Sequence, residues 1–163
     1  MSSDIHLKLD GVEGDSTDSG HDKEIELISY SHGMQMPLSG FSSSGSPTME
    51  KPTLQEFVIT KYLDKASSGI QGKLLKGTPI ATATVFVERP DGSGGKVNYA
   101  QYDFENLYFS SYNVGSSGSG LPMETISFAA EKYTITYTAT DTASGGAQGN
   151  VSQAWDLALN KEP

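Results

Sequence analysis

The sequence predicts a mainly β protein, a barrel or sandwich of two packed antiparallel sheets with about eight strands and one short flanking α-helix. Three observations predict it. Apolar and polar residues alternate over many short stretches, the two-residue period of a half-buried strand. The 18 glycines and many serines cluster between those stretches, where turns belong. Only one segment, around residues 67–77, has helical spacing followed by a stop signal.

Taken in order, Ile5, Leu7 and Leu9 alternate with His6 and Lys8 and predict a first strand. Residues 11–21 are polar and acidic and read as a solvated loop. Residues 25–30 predict a strand running on toward Met36. The run Ser39, Gly40, Phe41, Ser42, Ser43, Ser44, Gly45, Ser46, Pro47 predicts a mobile or interaction loop. Residues 56–63 predict a strand with Phe57, Ile59 and Leu63 on one face. Ser67 or Ser68 is the expected helix cap, because a serine oxygen accepts from an orphan N–H of the first turn. Ile70 and Leu74 then share a helical face, and Gly77-Thr78-Pro79 ends it. Strands follow at residues 80–88 and 97–112, the second with a phase change that predicts a bulge. Ile126 and Phe128 mark another strand. Tyr133, Ile135 and Tyr137 then alternate with Thr134, Thr136, Thr138 and Thr140, the cleanest period-two signal in the chain. A last strand, residues 151–159, carries the only tryptophan, Trp155. The expected core is Phe57, Ile59, Ile126, Phe128, Tyr133, Ile135, Tyr137 and Trp155; the threonine face is expected to be a polar lumen or outer wall.

The 163 residues fit one domain spanning residues 1–163. No cysteine is present, so disulfides and thiolate sites are unavailable. A net charge of −9 argues against nucleic acid and anionic membranes as partners. No stretch reaches the roughly 18 apolar residues of a membrane span. The first residues lack a cationic n-region and an apolar run, so they do not read as a signal peptide; export, if it occurs, is expected to use another machine.

Catalytic signatures are missing, with no Walker A loop, no G-x-S-x-G elbow and no H-E-x-x-H. Thus no enzymatic activity and no cofactor are expected. His6, His21 and His32 match no ligand spacing and read as surface histidines, with no metal site. The carboxylates Asp10, Glu13, Asp15, Asp18 and Asp22 are out of register for a calcium loop. Glu24 and Glu26 share a strand face and read as exposed residues rather than an acid–base pair. The aromatic residues from Tyr99 to Tyr112 read as strand core, with a sugar-stacking platform as the other option.

Several segments together resemble the haemolysin-coregulated protein (Hcp) family. They are Gly11-Val12-Glu13-Gly14-Asp15-Ser16-Thr17-Asp18 with His21 and Ile25-Glu26-Leu27-Ile28-Ser29-Tyr30-Ser31-His32-Gly33; Phe57-Val58-Ile59-Thr60-Lys61-Tyr62-Leu63-Asp64-Lys65-Ala66-Ser67; Leu121-Pro122-Met123-Glu124-Thr125-Ile126-Ser127-Phe128 with Tyr133-Thr134-Ile135-Thr136-Tyr137-Thr138; and Ala154-Trp155-Asp156-Leu157. Two positions depart from the family: no aromatic residue stands near Glu24-Ile25, and Gly69 replaces a proline after the helix-capping serine. The resemblance implies a two-sheet barrel with a flanking helix. It implies a homo-hexameric ring and rings stacked into the inner tube of a type VI secretion system, made in the bacterial cytoplasm and then secreted without a cleavable signal peptide. It also implies spike and contractile-sheath proteins as partners and effectors as cargo. The residues 39–47 loop is the candidate for ring stacking. A phage-type tail-tube protein and a carbohydrate-binding β-sandwich are the alternative readings.

Overall fold

The computed structural model describes residues 4–40, 45–141 and 143–163. The strands are β1 (Asp4–Leu9), β2 (Ile25–Glu26), β3 (Ser29–Ser31), β4 (Met34–Gln35), β5 (Leu38–Ser39), β6 (Thr48–Met49), β7 (Thr53–Leu54), β8 (Phe57–Tyr62), β9 (Ile80–Pro90), β10 (Lys96–Gly115), β11 (Met123–Thr140) and β12 (Ala147–Asp156). The one helix among the described residues, α1, spans Ala66–Lys76. It is too short to cross a membrane.

The main sheet runs β2-β1-β9-β10-β11-β8-β3 with every pairing antiparallel, and β12 adds to β11. Its two ends belong to one short stretch of chain. Residues 25–26 pair with β1, and residues 29–31 pair with β8. Between them Leu27 N–H donates to Ile5 O at 2.9 Å and Ile28 N–H to Thr60 O at 2.7 Å. That stitch closes the curled sheet into the predicted barrel and removes two free edges. The two predicted layers are opposite walls of this one sheet. Tyr30 on β3 and Tyr102 on β10 meet across it, ring centroids 5.2 Å apart.

Alternation sets the inside. One row crosses five strands from Leu9 through Ala83, Phe104 and Tyr133 to Trp155. Phe57 is the centre of the core, with Phe104 at 5.0 Å and Phe128 at 5.2 Å. Each such buried ring contributes roughly 1.5–3 kcal/mol of transfer free energy. Of the expected core, Phe57, Ile59, Ile126, Phe128 and Tyr133 are buried. Ile135 is partly buried, Tyr137 is 50% exposed, and Trp155 lies outside the buried cluster. The correction has a topological cause. The lower half of β11 pairs with β8 inside the barrel, whereas its upper half pairs with β12 and leaves the closed part. Inward alternation continues there, but no opposite wall covers it.

Other elements differ in detail. The expected strand over residues 25–36 is broken into β2, β3 and β4. The two strands expected within residues 125–140 are one strand, β11. On β8 the inward position after Ile59 is Lys61, fully buried, and Leu63 points to solvent. The predicted bulge in β10 is present, with register shifts between Asn98 and Ala100 and between Phe109 and Ser111.

Helix α1 buries Ala66, Ser67 and Ile70, and Leu74 packs against the core. Its cap is not Ser67 or Ser68, which lie inside the first turn. Asp64 Oδ1 accepts the Ala66 N–H at 2.9 Å, and Ser67 Oγ accepts the Asp64 N–H at 3.1 Å, a reciprocal box. Gly77 ends the helix at φ 63°, its N–H donating to Leu74 O while Thr78 N–H reaches Lys73 O.

Candidate assembly surfaces

Residues 34–39 and 48–54 form a two-stranded arm. Met34 pairs with Leu54 and Gln35 with Thr53; further out, Leu38 pairs with Met49 and Ser39 with Thr48. Neither ladder joins the main sheet. Of the candidate stacking loop, residues 39–47, Ser39 ends β5 and Gly45 to Pro47 lead into β6. Ser39, Gly40, Gly45 and Ser46 are exposed and Pro47 half-buried, while Phe41, Ser42, Ser43 and Ser44 lie outside the described residues. The arm displays Met34, Met36, Leu38 and Met49 to solvent. At its base, Met34, Met36 and Leu54 face Ile135 and Trp155 across an apolar groove of about 450 Å³. Four exposed apolar side chains on an element outside the main sheet make the arm a candidate interaction surface.

The threonine face is the outer side of the barrel. Thr134 stands in a cross-strand row with Lys8, Thr84, Asp103 and Ala154, and Thr136 in a row with Gln101 and Ser152. Thr84 donates to Asp103 Oδ1 at 2.9 Å, Gln101 amide nitrogen donates to the same carboxylate, and Thr138 donates to Asn150 at 2.9 Å. Lys132 and Glu105 pair at 3.2 Å on an adjoining row. Thr134, Thr136, Thr138 and Thr140 are half-buried on this polar face, and Thr138 is the one of the four that takes part in its side-chain hydrogen bonds among the described residues.

Two buried polar clusters had no clear signal in the sequence. In the first, Lys61 Nζ lies 2.7 Å from Asp64 Oδ1 and 2.7 Å from Glu124 Oε2, with Lys61 and Glu124 both fully buried. Tyr112 hydroxyl donates to the other Glu124 oxygen. Burial, reinforced by the Glu124 carboxylate, pushes the Tyr112 phenol up. In the second, His6 and His21 stack on the outer face of β1 and β9. The surface reading of the histidines is overturned: His21, on the segment 10–24, is buried against His6 and Phe86, His6 is buried with it, and His32 is half-buried between Phe57 and Tyr133. Glu24 does not face Glu26 as a pair; it is held by His21 at 2.6 Å.

His6, His21 and Glu88 have ligand-type atoms within 4.8 Å of one another. The two imidazole planes are parallel to within 6° at 4.4 Å, so no single point lies in both ring planes, and the pair does not converge on an ion. The aromatic side chains of β10 divide in the way a core requires: Phe104 and Phe109 are buried, Tyr102 and Tyr112 half-buried, and Tyr108 exposed. Tyr99 is also half-buried, with the Arg89 guanidinium 5.3 Å from its ring centroid.

The family described as "Type VI secretion system effector, Hcp" matches residues 6–137. The protein called Protein hcp1 from Pseudomonas aeruginosa is 26% identical over 163 residues, with 98% of both chains covered. A solved structure described as that of a type six secretion system protein superposes with a TM-score of 0.90 at 29% identity, covering 98% of this chain and 99% of the other. Hcp1 from Salmonella typhimurium shares the fold, with a TM-score of 0.81 at 24% identity over the whole of both chains. The family match runs from β1 into the upper half of β11, through every strand that closes the barrel, and this chain belongs to the Hcp family of type VI secretion systems.

Proposed function

We propose that this chain is a non-enzymatic structural subunit of the type VI secretion inner tube. Residues 1–163 act as one tube-type domain. Six copies close into a ring, rings stack into a tube, and spike and sheath proteins engage the tube from its tip and its outside. The tube carries or accompanies effectors out of the cell, by a route that needs no cleavable signal peptide. The observation that supports this reading is the contrast between a barrel closed on itself and an arm that is not: Met34, Met36, Leu38 and Met49 remain exposed on an element outside the main sheet. A ring of identical copies uses a heterologous contact, one patch against a different patch on the next copy. The arm and the groove at its base are two such unlike surfaces. Residues 39–47 are the proposed stacking element, and the threonine face is a proposed lumen or outer surface.

Negative-stain microscopy and native mass spectrometry of the purified protein test the reading. Annular particles of six copies are expected. Deleting residues 42–46 should leave rings and abolish tubes. A monomer at every concentration would overturn the ring, and tubes of normal length from the deletion would overturn the stacking role.

A further inference from the structure

Residues 10–24 form a loop that bridges the outer face of the barrel to the helix. It is folded on itself: Gly14 N–H donates to Lys23 O at 2.7 Å, Lys23 N–H to Ser16 O at 2.8 Å, and Ser16 N–H to Glu24 O at 3.0 Å. On the helix side, Asp15 accepts the Lys65 N–H at 3.1 Å and Glu13 accepts Lys65 Nζ at 3.0 Å. Val12 rests against Gly69, where an added Cβ would meet Val12 Cγ1 at 3.1 Å. On the barrel side, the loop is held mainly by ionisable side chains. His21 lies over His6 and Phe86, with ring centroids at 4.4 and 4.8 Å.

The hydrogen-bonding geometry assigns the protons. His21 Nδ1 is 2.6 Å from Glu24 Oε2, and Nε2 is 2.9 Å from Glu88 Oε1. An ionised carboxylate only accepts, so a carboxylate at each ring nitrogen favours hydrogen on both and the imidazolium form of His21. His6, 4% exposed, has a buried Nδ1 with no partner. A proton added to it would place a second cation face to face with the first. The other charged groups here are Asp18 from the loop, Asp4 on β1, Glu26 on β2, and Lys96 on β10. Lys96 is already engaged by Asp4, at 2.8 Å, and by Asp18.

We propose that the His6–His21 stack is a proton-counting latch: it holds residues 10–24 on the barrel while the pair carries one proton in excess of neutrality, and releases them when His6 takes a second. This holds whether or not the chain assembles into a tube. Burial and then the His21 charge keep His6 below its usual value, against the pull of Asp18 and Glu88. Burial opposes the charge on His21, but its hydrogen bonds to Glu88 and Glu24 overcome that and hold it above its usual value. The signs are therefore opposite. The His6 contribution is present above the unfolded value of 6.5 and is lost as pH falls through the lower folded value. The His21 contribution is complete below 6.5 and is lost as pH rises through its raised value. The latch is tightest near 6.5, and it loosens toward each folded value and levels off beyond it.

Amide hydrogen exchange of the whole protein, corrected for intrinsic rates, tests this across about pH 4.5 to 8. Opening of residues 10–24 should grow by up to about tenfold per pH unit as pH falls from 6.5 toward the lowered His6 value, the limit for one proton, and level off below it. Peptides from β11 should not change with it. His6→Phe keeps a stacked ring without a titrating nitrogen and should abolish the acid limb. Histidine-selective carbon labelling of the unaltered protein supplies an independent reading by nuclear magnetic resonance: His6 should titrate below 6.5 and His21 above it. An acid limb that survives in His6→Phe, a flat exchange profile, or two histidines titrating together near 6.5 would each overturn the proposal.

Discussion

Lys61 occupies a position on β8 where the alternation from Phe57 and Ile59 calls for an apolar side chain. Its ammonium is tolerated there because it donates to Tyr62 O at 2.9 Å, Asp64 Oδ1 at 2.7 Å and Ser67 Oγ at 3.2 Å, with Glu124 beside it. The same contacts hold the Asp64–Ser67 box that starts the helix, so one charge couples β8, α1 and β11. Breaking one side of a fully buried pair leaves the other charge uncompensated. Lys61→Met is therefore expected to destabilise the protein by about 3–5 kcal/mol, read as a shift of the urea midpoint. The double variant Lys61→Met with Glu124→Leu should recover a large part of that loss, because an apolar pair of similar volume removes both desolvation costs. If the double variant is as unstable as the single, Asp64 rather than Glu124 is the dominant partner. No local pattern in the sequence announces this cluster: Lys61 and Glu124 are adjacent only because β8 and β11 pair in the observed register, Lys61 against Glu124.

At the scale of elements, β11 separates what alternation specifies from what it does not. Period two correctly places Tyr133, Ile135 and Tyr137 on the inner side and the threonines on the outer side, but burial falls from Tyr133, 6% exposed, to Tyr137, 50% exposed. Facing direction is written in the strand itself. Burial also depends on what stands opposite, and that is decided by β8 ending its pairing at Phe128 while β12 takes over from Lys132. Phe128→Ala should accordingly cost about 3–5 kcal/mol, with a cavity left in the ring cluster. Tyr137→Ala should change stability by less than about 1 kcal/mol. Thermal or urea unfolding of the two variants side by side checks the gradient; equal losses would mean the barrel remains closed up to Tyr137. The helix shows the same division. Its face and its stop were legible in Ile70, Leu74 and Gly77, and Gly77→Ala should cost about 1 kcal/mol because φ 63° suits a residue without Cβ. Its start was misplaced, because Asp64 caps it through a box whose other half, Ser67, also serves Lys61. The histidine stack lay beyond local reading for the same reason: His6, His21 and Glu88 converge through strand pairing and loop packing, not through spacing.

For the whole molecule, closure and charge both act against the proposed assembly, and the exposed apolar arm acts for it. The stitch at Leu27 and Ile28 joins the ends of the sheet, so the barrel does not need a neighbour to complete its core. In the proposed ring, contacts with other copies would fall to the arm, the groove beside Trp155 and the outer strand β12. Each copy also carries a formal charge of −9, and bringing like-charged copies into a ring raises their mutual repulsion. The apolar contact offered by Met34, Met36, Leu38 and Met49 does not depend on ionic strength in the same way. Moving from about 10 mM to about 150 mM salt shortens the screening length from about 30 Å to about 8 Å, so repulsion between neighbouring copies weakens while the apolar contact persists. The annular fraction, measured by sedimentation velocity at fixed protein concentration, should therefore rise with salt. Replacing Leu38 and Met49 together by Glu should reduce it at every salt concentration, since that removes the apolar contact and adds charge at the arm. A fall with salt in the unaltered protein would mean that the contact is built from facing opposite charges instead, and would move the interface from the arm to the Lys132–Glu105 region of the polar wall.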